Sequence, residues 1–195
     1  MHIIIAGAAR AGKTTLSLML NNEGFTHYKM DSIKRGICEA YNLKYDSWDE
    51  VSTVMSIIIN RIIEDNKTDT NFLKEKYLFD IPFIYPKDLS LINTEDTLVI
   101  FLGYAKASAA KHFLKIRNND ASNLWTSKLD DETLAKNVKE NIEFSKKLER
   151  ECKKYNIPYF DTSFNREEVL KEAKEFILRK EVEYERNSKT LRVIK

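Results

Sequence analysis

The chain opens on a β-branched apolar run, His2 to Ala6, that passes directly into Gly7-Ala8-Ala9-Arg10-Ala11-Gly12-Lys13-Thr14. A run of that kind, stopped by a glycine, reads as a strand buried on both faces. Lys13 to Asn22, with Leu16, Leu18, Met19 and Leu20, reads as the helix that follows. The segment between them matches G-x-x-x-x-G-K-[ST] at every fixed position. At ordinary residue frequencies a chain of this length holds such a match in about 1% of cases. The strand before it and the helix after it make chance less frequent still, and two of only 5 glycines stand here. Glycines let the backbone curl so that successive N–H groups point into one concavity, which cradles a β-phosphate together with the helix start. Gly7, Ala8, Ala9, Arg10, Ala11, Gly12, Lys13, Thr14 and Thr15 are therefore the expected nucleotide contacts. Lys13 would reach β- and γ-oxygens, and the Thr14 hydroxyl would ligate Mg²⁺.

Further apolar runs follow at regular intervals. Phe25 to Met30, Tyr77 to Ile84, Thr97 to Gly103 and Ile157 to Asp161 read as strands. Between them the period changes to that of helices. Val51, Val54, Met55, Ile58 and Ile62 recur at helical spacing from Asp46 onward, and Leu134, Val138, Ile142, Leu148 and Cys152 mark a helix from Glu132 to Tyr155. A last helix is expected from Asn165, with Glu168 as capping-box partner, followed by a charged tail over residues 181–195. Five strands alternating with helices predict an α/β domain over residues 1–180, with helices on both faces of a five-stranded parallel sheet.

Composition excludes other classes. With 195 residues, 43% hydrophobic and 11% aromatic, the chain is neither disordered nor fibrous. Lys+Arg 32 against Asp+Glu 30 leaves a net charge of +2, which makes no case for nucleic acid or an anionic membrane as partner. No apolar run approaches the roughly 20 residues needed to span a bilayer. Cys38 and Cys152 could pair, but two buried thiols in a reducing cytoplasm are the preferred reading, and the amino end lacks the leader of a signal peptide.

With this loop, this spacing of strands and this length, the chain resembles the small-molecule P-loop kinases, the group of adenylate, shikimate and gluconate kinases. The resemblance implies strand order 2-3-1-4-5, ATP and Mg²⁺ as cofactors, and an acceptor over the carboxyl ends of strands 2 and 3. Acceptor-side helices would occupy residues 31–75 and a basic lid residues 106–131. Asp31, at the end of strand 2, would take or orient the acceptor's hydroxyl proton; the alternative is a helix N-cap. Arg35, four residues on, falls on the same helical face and would grip an anionic group. Asp80, a carboxylate inside an apolar run, would hold a magnesium-bound water or the acceptor, unless it faces solvent at an edge. Tyr85 and Lys87 are expected near the acceptor. Lys106 to Arg117 carries four basic residues and no acid, so it reads either as the lid's mobile positive charge or as a solvated helix face. Arg117, its one arginine, is the candidate catalytic cation. Asp161-Thr162-Ser163 stands where adenine-binding loops lie, and is equally a helix-start turn.

One motif competes. Asn66-Lys67-Thr68-Asp69 matches the guanine-reading N-K-x-D of GTPases, but it follows a helical pattern, comes early and has no D-x-x-G between it and the loop. It reads as a polar turn. The expected activity is transfer of the ATP γ-phosphoryl group to a small-molecule or nucleotide acceptor; the alternative is a nucleotide-dependent switch or regulator without an acceptor.

Overall fold

Apolar side chains alternate across the strands, and each parity feeds a different face of one sheet. In β1 (His2–Gly7), Ile3 and Ile5 pack with Leu78, Ile100 and Leu102, whereas Ile4 and Ala6 pack with Phe79, Val99 and Phe101. Every residue of β1 is buried, as a strand must be when helices cover both faces. The computed structural model describes residues 1–42, 48–68, 75–82, 84–119 and 125–193. Among these, β2 (Phe25–Lys29), β3 (Lys76–Asp80), β4 (Thr97–Gly103) and β5 (Tyr159–Asp161) join β1 in a five-stranded sheet ordered β2-β3-β1-β4-β5. All pairings are parallel, so each strand is reached by a crossover, as the alternation of strands and helices predicts.

The connections carry α1 (Lys13–Met19), α2 (Met30–Ala40), α3 (Trp48–Thr68), α4 (Ala109–Asn119) and α5 (Asp131–Lys154), and α6 (Arg166–Val193) follows the last strand. One face of the sheet is covered by Leu16 of α1, Leu134, Val138 and Ile142 of α5, and Leu170, Ala173 and Ile177 of α6. The other is covered by Met30 and Cys38 of α2, and by Val51, Met55, Ile59 and Ile63 of α3, spaced four apart as one helical stripe. The far half of α5 adds Leu148 and Cys152 to that second layer, so this helix serves both cores. Leu16 and Ile59 are fully buried, one in each layer. Truncating either to alanine costs about 2–5 kcal/mol. Both cysteines are free and buried, and burial, seconded by the Glu151 charge, pushes the Cys152 thiol up to about 12.

Some boundaries differ from expectation for local reasons. β3 ends at Asp80 instead of Ile84: Ile81 still donates to the Ile5 carbonyl at 3.0 Å, but Pro82 has no N–H to continue. Asp80 is thus the last residue of its strand. α6 starts at Arg166, one residue after Asn165, whose carbonyl accepts the first helical bond from the Val169 N–H at 3.1 Å; the Asn165 φ of 46° is not the extended backbone of the expected capping box. That helix then runs into the expected tail, where buried Glu181 accepts from Lys76 Nζ at 2.5 Å. No helix among the described residues is long and apolar enough to cross a membrane.

Candidate active site

β1 leaves the sheet at Gly7, whose φ is 129° and where a Cβ would lie 1.9 Å from the Leu102 carbonyl oxygen. Only glycine fits there. The next N–H, that of Ala8, donates to the same Leu102 oxygen at 3.0 Å and anchors the loop to β4. Gly12, with φ 107°, then turns the chain into α1 without a side-chain cap. Tyr104, immediately after β4, is buried beneath the loop and donates from its hydroxyl to the Ala9 carbonyl at 2.9 Å. Burial holds that phenol far above its usual pKa, so it stays a donor.

Lys13 is buried, and its Nζ donates to the Ala8 carbonyl at 2.8 Å. Burial lowers its pKa to about 8, against the pull of the Asp80 and Asp31 carboxylates, which both act on this ammonium. Asp80 stands opposite Ile5 in the register of β3 on β1, and is buried; an edge position facing solvent does not describe it. Its Oδ2 accepts from Thr14 Oγ1 at 2.6 Å. A hydroxyl and a carboxylate held together at a phosphate loop fit Mg²⁺, which takes hard oxygen ligands and binds through one or two carboxylates, phosphates and water.

Asp31 lies in the first turn of α2, where Lys29 occupies the N-cap position, so Asp31 is not the cap. Its charge still favours the helix's positive end. Arg35 Nη2 is 3.7 Å from Asp31 Oδ2, on the shared face that the spacing predicts, and both side chains are about half exposed. Lys13, Thr14, Asp80 and Asp31 thus converge at the carboxyl ends of β1, β2 and β3, with Arg35 at the rim.

Other expected residues stand elsewhere. Arg117 donates from Nε to Asp131 at 2.8 Å, from Nη2 to the Leu129 carbonyl at 2.7 Å and from Nη1 to the Thr126 carbonyl at 3.3 Å. Its fork therefore fastens residues 126–131 to α4, while Ile116 is buried beneath with Phe113 packed against it. Residues 120–124 of the expected lid, and 43–47 and 69–74 of the acceptor-side stretch, lie outside the described residues. Lys87 lines a groove with Thr97 and Ile157, at the amino ends of β4 and β5, and so lies away from the loop; Tyr85 is buried in the core against Phe144. Lys67 of the N-K-x-D match lies 2.7 Å from Asp96, just before β4 and likewise at the far end; Asp69 is outside the described residues. Asp161, Thr162 and Ser163 form a turn: Ser163 N–H donates to Asp161 Oδ1 at 2.8 Å and Thr162 Oγ1 to the Gly103 carbonyl at 3.0 Å.

Sequence reasoning missed three residues around the loop. His112 of α4 stacks on Tyr104 with ring centroids 4.2 Å apart, and burial, with the Lys115, Arg10 and Arg166 charges, lowers its pKa to about 4. Arg166, the first residue of α6, donates from Nη2 to Thr15 Oγ1 at 3.1 Å. The available signal was topological: Tyr104 and Arg166 follow β4 and β5, whose carboxyl ends lie on the loop's side of the sheet.

No family model matches the chain, and no curated protein matches it in sequence. Its shape is similar to solved structures. A gluconokinase from Sinorhizobium meliloti 1021 is 10% identical with a TM-score of 0.54, over 94% of this chain and 96% of its own. TT1252 from Thermus thermophilus is 14% identical with a TM-score of 0.52, over 92% and 98%. A deoxyadenosine kinase from M. mycoides is 19% identical with a TM-score of 0.48, over 92% and 98%. The five-stranded parallel sheet, its order and its covering helices agree with the first of these likenesses: the chain has the fold of the small-molecule P-loop kinases.

Proposed function

We propose that the protein is an ATP- and Mg²⁺-dependent phosphotransferase that moves the γ-phosphoryl group to a small-molecule or nucleotide acceptor in the cytoplasm. The observation that carries this reading is the convergence of Lys13, Thr14 and Asp80 at the end of β1, with the Thr14 hydroxyl 2.6 Å from Asp80 and the Lys13 ammonium buried under the influence of Asp80 and Asp31. A burial that lowers a lysine's pKa leaves a cation whose charge is poorly solvated, and such a cation gains most when phosphate oxygens arrive.

In this reading the loop from Gly7 to Thr15 holds the phosphate chain through backbone N–H groups. Lys13 exchanges its bond to the Ala8 carbonyl for β- and γ-oxygens and follows their charge into the transition state. Thr14 and Asp80 would hold Mg²⁺, directly or through water, and the ion would supply neutralisation of the phosphate charge. The acceptor lies on the Asp31 side. Its hydroxyl oxygen bonds to the γ-phosphorus as the bond from that phosphorus to the β–γ bridging oxygen breaks, releasing ADP. Asp31 orients the hydroxyl or accepts its proton, and Arg35 binds an anionic group of the acceptor. Arg117 reaches a phosphate only by giving up its bonds to residues 126–131.

A metabolite screen tests this. Each candidate acceptor is added with Mg-ATP, and both thermal stabilisation and ADP release are read, since bound ligands raise the melting point by mass action. The expected result is ADP release stimulated by one class of acceptor. Steady ATP hydrolysis with no acceptor dependence, combined with nucleotide-dependent capture of a protein partner, would replace the kinase reading with that of a switch.

A further inference from the structure

Arg166 meets the loop from the side opposite Asp80. Its Nη2 donates to Thr15 Oγ1 at 3.1 Å, and a Cβ on Gly12 would lie 3.1 Å from its Nε and 3.2 Å from its Nη2. The Nε–H and Nη2 edge of the guanidinium is therefore laid against the loop glycine. Yet Nε is buried and has no hydrogen-bond partner among the described residues. A second orphan stands nearby: His112 Nε2, buried and without a partner among the described residues, on a ring that feels the charges of both Arg166 and Arg10. Burial and the Arg10 charge both lower the Arg166 pKa, with Glu167 opposing them. Cations that crowd one another, with donors left over, are the arrangement that an incoming anion relieves.

The kind of anion follows from where the edge points. Lys13 and Thr14 belong to the β- and γ-phosphates and the metal, and the loop's N–H groups to the α- and β-phosphates. Thr15 is the next residue outward along α1, and it is the one that Arg166 touches. We propose that Arg166 is a phosphate-binding residue of the nucleotide site, whose Nε and Nη2 take an α-phosphate oxygen of the bound nucleoside triphosphate beside Thr15. This rests on the reading of Gly7 to Thr15 as a nucleotide site, but not on which acceptor is phosphorylated. It also places a fixed arginine at the phosphates, where the sequence suggests lid lysines and Arg117. A planar fork with two parallel N–H donors suits a phosphate better than a lysine does.

Binding titrations test it without relying on turnover. Mg-ATP and inorganic tripolyphosphate, a phosphate chain with no sugar or base, are titrated into wild type, Arg166→Ala, Arg166→Gln and Arg166→Lys. Thermal unfolding of each ligand-free protein checks that it is folded, and Arg166→Gln, which keeps a polar amide on a shorter stem and removes the charge, serves if Arg166→Ala is not. Charge-assisted hydrogen bonds of this kind predict a roughly ten- to hundredfold loss of affinity for both ligands in the alanine and glutamine variants, with partial recovery in the lysine variant. Loss for ATP alone, with tripolyphosphate unchanged, would assign Arg166 to the sugar or base and overturn the proposal. Unchanged affinity for both would overturn it while leaving the nucleotide site intact. A folded wild type that binds neither ligand would overturn the nucleotide site itself, and this proposal with it.

Discussion

At the amino ends of the strands, Lys76 of β3 donates to Glu181 at 2.5 Å, and Asp96, just before β4, is met by Lys67 at 2.7 Å and by the Tyr184 hydroxyl at 2.5 Å. At the carboxyl ends, Lys13 is held by a backbone carbonyl, Arg166 by a single hydroxyl, and Arg166 Nε and His112 Nε2 have no partner among the described residues. The two ends use the same residue types, but at the carboxyl ends the desolvated Lys13 and Arg166 are held by neutral oxygens, and the ion pair there, Asp31 with Arg35, lies at the half-exposed rim. Matched pairs fasten α3 and α6 to the sheet, which is a structural use. Cations desolvated without a carboxylate in contact are destabilising until an anion arrives, and that is what the proposed nucleotide site would supply at this end.

The largest expected effect breaks the poorly matched end. Lys13→Met keeps the stem and removes the charge, and should lower the phosphoryl-transfer rate by roughly a hundred- to thousandfold. The melting temperature should stay within a few degrees, because the desolvated ammonium contributes little to folding. Rate and unfolding are measured on the same preparation. A variant that transfers at near wild-type rate would remove the loop from the chemistry.

A smaller effect separates the two members of the Asp31–Arg35 pair, which touch at 3.7 Å in solvent. Arg35→Ala should raise the acceptor KM by roughly tenfold with kcat nearly unchanged, as expected for a grip equal in ground and transition states. Asp31→Asn should instead lower kcat with a modest change in KM. If both variants moved only the ATP constant, the acceptor would have to bind elsewhere.

Acidity sharpens the contrast further. The Lys13 pKa of about 8 lies below the usual lysine value, and phosphate oxygens would raise it in the complex. Below pH 8 both states hold the proton, so Mg-ATP affinity should be flat. Above it the free protein loses the proton that the complex retains, and affinity should fall by up to about tenfold per pH unit. Titrations between pH 7 and 9.5 would show the slope in wild type and its absence in Lys13→Met. For stability the sign is opposite: the lowered pKa makes the Lys13 contribution least favourable below pH 8, and it improves as pH rises toward the unfolded value.

The frame was legible because it rests on local patterns. The β-branched run before Gly7 and the periodicities around Met55 and Ile142 are each set by burial on one or two faces, so strands, helices and parallel sense follow from neighbours in sequence. Asp80 was legible for a related reason, since a carboxylate at the end of an apolar run needs a partner, and Thr14 is that partner. Arg117 and Lys87 were not, because what a long cation touches depends on loops that close on it from far along the chain: Arg117 on Asp131 and Leu129, and Lys87 beside Thr97 and Ile157. Arg166 carried no local signal at all. It is one charged residue in a charged helix start, and 151 positions separate it from the threonine it meets.

The smallest effect concerns the matched end and the guanine-like motif. Lys67, with its partner Asp96, is about two-thirds buried, and partly exposed ion pairs of this kind contribute about 0.5–1 kcal/mol. Lys67→Ala should therefore lower stability by that amount and leave the ratio of ATP to GTP affinity unchanged, because the pair lies at the end of the sheet away from the loop. Burial works against ionisation of Asp96, but hydrogen bonds from Lys67 and Tyr184 outweigh it and hold the carboxyl below its usual pKa. A depressed carboxyl contributes above its unfolded pKa and loses that contribution as pH falls through the folded one. The difference in stability between wild type and Lys67→Ala should accordingly be full at neutral pH and shrink in acid. Urea unfolding at neutral and acid pH, with nucleotide titrations alongside, checks both halves. A shift in nucleotide preference in this variant would mean that the Asn66 to Asp69 segment reads a base after all, and the division between a binding end and a fastening end would not hold.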